Sequence, residues 1–168
     1  MDRDALRQVQ APLKDQYRDD PGAAMITLHA DGELGSEEVA CSVDTGRALV
    51  KAGLHPASGG DGSLACSGDM LLQALVACAG VTLRSVATNR GLEISGTVQA
   101  DGDLDFRGTM GVDRDALVGF TEIRLSFDLK SDADAETLDA VIKTTERYCV
   151  VLQTLSRAPK ISVSHTNT

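Results

Sequence analysis

Residues 65–80, ACSGDMLLQALVACAG, decide how the rest of the chain is read. From Gly68 the sequence continues to Asn89 without a breaker strong enough to stop a helix. Ser67 is a suitable N-cap, Asp69 places negative charge in the first turn, and Gly91 is the C-cap candidate. Between Met70 and Leu83 only Gln73, Gly80 and Thr82 interrupt the apolar residues. A helix apolar on all sides has to be covered on all sides. The expectation is therefore a central buried helix, with no apolar run reaching the roughly 18 residues of a bilayer span. Cys78 falls in the middle of it, and such a cysteine is either core filling or a working thiol.

Around this helix the pattern is that of strands. AMITLHA (24–30) and EEVACSV (37–43) read as strands joined by a DGELGS turn, and RALVKA (47–52) as a third. GLHPASGGDGS (53–63) is a loop by composition. Residues 93–106 and 121–130 alternate as strands, with a loop between them. Residues 132–149 open with capping acids and run as an amphipathic helix, and PKISVSH (159–165) closes the chain as a strand. Asp4–Tyr17 reads as a polar helix stopped by DDPG at 19–22. The division expected is an N-terminal helix or arm over 1–22 and a single domain over 23–168. The order strands, long helix, strands, helix, strand is α+β rather than alternating βαβ.

Composition excludes several function classes. The 168 residues carry a net charge of −9 and no clustered basic surface, which argues against nucleic acid. No basic amphipathic stretch suggests a membrane surface, and the polar start MDRDALRQVQ lacks a signal-peptide core. The expected location is the cytoplasm. Cysteines at 41, 66, 78 and 149 form no CxxC pair and no zinc spacing, so no metal and no bound cofactor is expected.

Two of these cysteines can be placed on faces. Leu138, Val141, Ile142, Thr145, Tyr148, Cys149 and Leu152 form one helical stripe, which buries Cys149 if the helix runs unbroken to Leu152. Cys78 shares a face with Leu71, Ala74, Leu75, Val81 and Thr82, among small residues that leave room for a pocket or a second backbone. The two cysteines are 71 residues apart and each sits on a face that packs inward. The pattern alone leaves open whether they meet.

DMLLQALVACAGVTLRSVATNRGL (69–92) and TTERYCVVLQTL (144–155) resemble the two signatures of the OsmC/Ohr family of osmotically induced and organic hydroperoxide resistance proteins. The resemblance implies an OsmC-like fold, two sheets around two central helices in an intertwined homodimer. It implies a peroxidase of oxidative stress defence that reduces organic hydroperoxides through a cysteine pair. Cys78 carries over as the peroxidatic thiol and Cys149 as the resolving thiol. A protein-bound dithiol of the dihydrolipoyl type would restore both. By position Asp69 and Arg47 carry over as helpers in thiolate formation, with Arg18 and Arg84 as weaker choices for the cation. A non-catalytic redox-sensing or ligand-binding dimer of the same fold, and purely structural cysteines, are the rival readings.

Cys66 precedes the long helix and is a packed loop cysteine or a third redox thiol. His55, in the Gly-rich loop with no matched acid, reads as a structural histidine.

Overall fold

The computed structural model describes residues 2–5, 8, 10, 11, 19, 31–34, 40–44, 49–111 and 113–167. Six strands, four α-helices and one 3-10 turn (Pro56–Ser58) are defined among them. Strands β1 (Asp31–Leu34), β2 (Ala40–Asp44), β3 (Leu49–Gly53) and β4 (Ala65–Cys66) form one sheet in that order. Its first three strands are antiparallel, and β4 runs parallel to β3. The DGEL segment, expected as a turn, is thus a strand: Asp31 to Leu34 pair with Asp44 to Cys41. Sheet pairing has overridden the weak local preference of Asp and Gly. The strand expected over 24–30 lies outside the described residues, as does Arg47.

Helix α1 (Ser67–Arg90) follows β4 directly. Its N-cap is Cys66 rather than Ser67, and no side chain caps it. Gly91 ends it at φ 71°, where its N–H reaches the carbonyls of Ala87 and Thr88, the left-handed conformation glycine adopts without a Cβ penalty. The long antiparallel ribbon of β5 (Ser95–Leu104) and β6 (Phe120–Lys130) comes next, interrupted by the one-turn helix α2 (Phe106–Thr109) within the stretch expected to be loop. Burial alternates along both strands, as a half-covered sheet requires, with Val98, Ala100, Ile123, Leu125 and Phe127 turned to α1.

Helix α3 (Ala135–Tyr148) starts at Asp134, whose carboxylate accepts from the Thr137 N–H at 2.7 Å. It does not continue to Leu152. The chain turns at Cys149 (φ −71°, ψ 107°) and a separate helix, α4 (Val150–Ser156), begins there. Val150 and Val151 are β-branched and weak helix formers, which makes this a natural place to break.

The core follows one stripe of α1. Leu75, Ala79, Leu83 and Ala87, each four residues after the last, are its buried residues. Only this stripe is fully buried by the chain's own described residues; most of the other residues of α1 are partly covered and Val81 is 72% exposed. The expected lack of a span-length apolar run is corrected. With only Asp69, Arg84 and Arg90 charged, α1 is long and apolar enough to cross a bilayer by length and composition. A core helix passes the same test, and α1 is packed by its stripe against β5, α3 and α4.

The strand expected over 159–165 does not form. Residues 157–167 have no regular structure, and Ile161 and Val163 are 76% and 92% exposed. A strand needs a ladder partner for its backbone groups, and none of the described strands lies beside this segment.

Candidate active site

The break between α3 and α4 builds the site. Cys149 is both the last cap of α3 and the first of α4. Its N–H donates to Thr145 O and its carbonyl accepts from Gln153 N, each at 2.9 Å, so its backbone is satisfied while the chain changes direction. Its side chain is fully buried against Leu75 and Ala79 of α1. Cys78, one residue before Ala79, packs against this cluster and is half-buried. Both thiols are free, and each influences the ionisation of the other.

Their environments push them apart. Burial alone drives the Cys78 thiol up. The backbone N–H of Val151, the Cys149 thiol, the N–H of Val150 and the Thr82 hydroxyl act against it and together prevail, so Cys78 lies below the ordinary thiol range. For Cys149 burial is again the largest influence, and here it wins, aided by Cys78 and the repulsion of its negative charge. Cys149 is held above the ordinary range. Of the two thiols, Cys78 is therefore the first to lose its proton.

Backbone N–H groups act on both thiols, those of Leu152 and Val151 on Cys149 and those of Val151 and Val150 on Cys78, and the influence of each cysteine on the other separates them. Val150 and Val151 occupy the first turn of α4, where N–H groups have no partner within the helix. They face Cys78 from the facing helix, so an anion in the middle of α1 is stabilised by the start of another helix. These donors, and Thr82, were not singled out from the sequence. The Val-Val pair after Cys149 was the available signal, since it marks where α3 weakens.

The other residues considered are placed elsewhere. Asp69 is exposed in the first turn of α1, nine residues and so about 13 Å along the axis from Cys78. It makes no ion pair among the described residues. Arg84 donates to Ile94 O at 2.5 Å and anchors the loop after α1. Cys66 is twelve residues, about 18 Å of helix, from Cys78. It lines a separate cavity of about 410 Å³ with Leu71, Phe106 and Phe120. His55 borders the same cavity, stacked on the Phe106 ring at 5.0 Å, and its Nδ1 caps a short turn at Ala57.

A family model described as OsmC-like protein matches residues 60–164, which hold both helices and both thiols. The chain belongs to the OsmC-like family. Its fold is that of solved members. An OsmC-like protein from Mycoplasma pneumoniae superposes with a TM-score of 0.66 at 16% identity, covering 79% of this chain and 89% of that one. An organic hydroperoxide resistance protein OsmC from Legionella pneumophila gives 0.58 at 14% identity, covering 80% and 91%. An organic hydroperoxide resistance protein from Elizabethkingia anophelis also gives 0.58 at 14%, covering 80% and 90%. None of the curated protein sequences compared matches the chain.

Proposed function

We propose that the protein is a thiol-dependent peroxidase that reduces organic hydroperoxides. The observation that carries this reading is the unequal thiol pair, packed in one cluster with Cys78 held below the ordinary thiol range and the buried Cys149 above it. The thiolate is the nucleophilic form. Cys78 attacks the terminal oxygen of R–O–O–H, the O–O bond breaks, and the departing alkoxide takes a proton from water to become an alcohol. Cys78 becomes a sulfenic acid. Cys149 then attacks its sulfur, the Cys149 proton leaves with the hydroxyl as water, and a disulfide joins the helices. An external dithiol returns the two electrons, so no bound cofactor is needed. Arg47 remains a proposed helper of the thiolate by its position, and Asp69, one residue out of the family's register, a proposed holder of that arginine rather than a contact of Cys78.

The reading includes a cytoplasmic homodimer. Val150 is exposed beside the site, and the tail carries Ile161 and Val163 in strand-like alternation without a strand partner among the described residues. A second copy supplies surfaces for both. Sedimentation equilibrium is expected to give twice the chain mass.

The deciding experiment is consumption of cumene hydroperoxide by purified protein with dihydrolipoamide as donor, and with hydrogen peroxide for comparison. Multiple turnovers lost in Cys78→Ser are expected. Stoichiometric oxidation of the pair with no reduction by any dithiol would instead make the protein a redox sensor.

A further inference from the structure

A groove of about 620 Å³ begins one helical turn from Cys78, at Thr82, and runs along α1 to its last residue, Arg90. Its two ends differ. At the cysteine end the lining is apolar: Val81 and Tyr148, 72% and 61% exposed, flank Thr82, and Tyr148 directly precedes Cys149. At the far end stands the Arg90 guanidinium, whose Nη2 donates to Thr144 Oγ1 at 3.1 Å and to Ala140 O at 3.5 Å. These contacts hold the guanidinium against α3 with neutral partners. Among the described residues Arg90 has no carboxylate partner, and no Asp or Glu lines the groove, whose wall also includes Gln10. In a chain of net charge −9 this is a local exception.

We propose that Arg90 binds the carboxylate of the substrate, so that among acyl hydroperoxides the protein selects those with a free acid head over their esters. This rests on the peroxidase reading above. The geometry sets the length. Thr144 and Ala140 are five and nine residues from Cys149, so the guanidinium lies about 8–13 Å along the helix axis from the site. An extended acyl chain spans that distance with its peroxide near mid-chain. The methylenes would lie on Val81, Val86 and Tyr148, and the head would replace water on a planar donor suited to a carboxylate. Thr82, whose hydroxyl donates to Cys78 O at 2.8 Å, closes the groove at the reacting end.

The test uses the full-length reduced protein and Arg90→Leu. The rate of Cys78 sulfenic acid formation is measured with linoleic acid hydroperoxide and with its methyl ester. Calorimetry with decanoate, which cannot oxidise a thiol, and with neutral decanol runs in parallel. The parent protein is expected to favour acid over ester by about ten-fold or more, the effect of a hydrogen bond between charged groups. In Arg90→Leu the acid-to-ester ratio should fall to near one, and decanoate should lose its advantage over decanol. Equal rates for acid and ester in the parent, or an acid preference that survives Arg90→Leu, would overturn the anchor. If no hydroperoxide oxidises Cys78 the peroxidase reading fails, and decanoate binding then decides the anchor by itself: dependence on Arg90 upholds it, independence removes it.

Discussion

In the C-terminal half of α1, Leu83 and Ala87 pack with Ile94 and Val141; in the N-terminal half, Leu75 and Ala79 pack with Cys149, and Cys78 lies alongside. Both halves belong to the same stripe, and Phe127 of β6 touches both clusters. The first is closed with carbon because α3 runs past it unbroken. At the second α3 has ended, and the chain turns so that the first N–H groups of α4 face α1. Thr145 marks the boundary, its buried hydroxyl satisfied by Val141 O at 2.9 Å. The difference teaches that chemistry enters this core through a break in a helix. Ionisable groups are tolerated inside when free backbone donors accompany them.

Substitutions in the two halves should separate. Cys78→Ser is expected to reduce peroxide turnover by more than about 10³-fold, since it removes the nucleophile itself. Its thermal stability should stay close to that of the parent, because the side chain is isosteric and half-buried. Cys149→Ala should leave the first attack intact and stop the cycle after one equivalent of peroxide. Mass spectrometry with dimedone should then find a persistent adduct on Cys78. A Cys149→Ala protein that turned over at the parental rate would remove Cys149 from the mechanism.

Leu83→Ala tests the other half. It deletes methylenes from the carbon cluster and should cost about 2–5 kcal/mol in urea unfolding. The titration of Cys78 should not move, as Leu83 lies outside the cysteine cluster. A shifted thiol in folded Leu83→Ala protein would mean that the two halves act as one unit.

Much of this arrangement was legible in the sequence. The apolar run after Asp69, the stop at Gly91 and the 3-and-4 spacing from Leu138 onward placed both long helices, because helical signals are local. They also placed Cys78 and Cys149 on inward faces. The Asp31–Leu34 strand was illegible because its pairing with β2, and no local preference, makes it a strand. The tail had the opposite problem: Ile161 and Val163 alternate as in a strand, but alternation does not supply a partner. The thiolate donors were hidden for a further reason. Backbone N–H groups are present at every residue but proline, and only the turn at Cys149 frees two of them at the right place.

The smallest predicted effect bears most directly on that turn. Val150→Pro removes one of the two N–H donors facing Cys78 while keeping the start of α4. Proline is well suited to the first position of a helix, and Cys149 at φ −71°, ψ 107° already has the extended backbone that a residue before proline prefers. Structure and stability should therefore change little. With Val151 N–H, the Cys149 thiol and Thr82 left to oppose burial, the Cys78 pKa should rise. Reaction rate rises with pH as a thiol ionises, so a higher pKa moves the rise to higher pH and slows the reaction below it. The pH dependence of Cys78 alkylation by iodoacetamide, followed in the Cys66→Ser background, measures this midpoint. A midpoint unmoved by Val150→Pro would mean that α4 does not stabilise the thiolate, and the contrast between the two halves of α1 would then rest on the Cys149 thiol and Thr82.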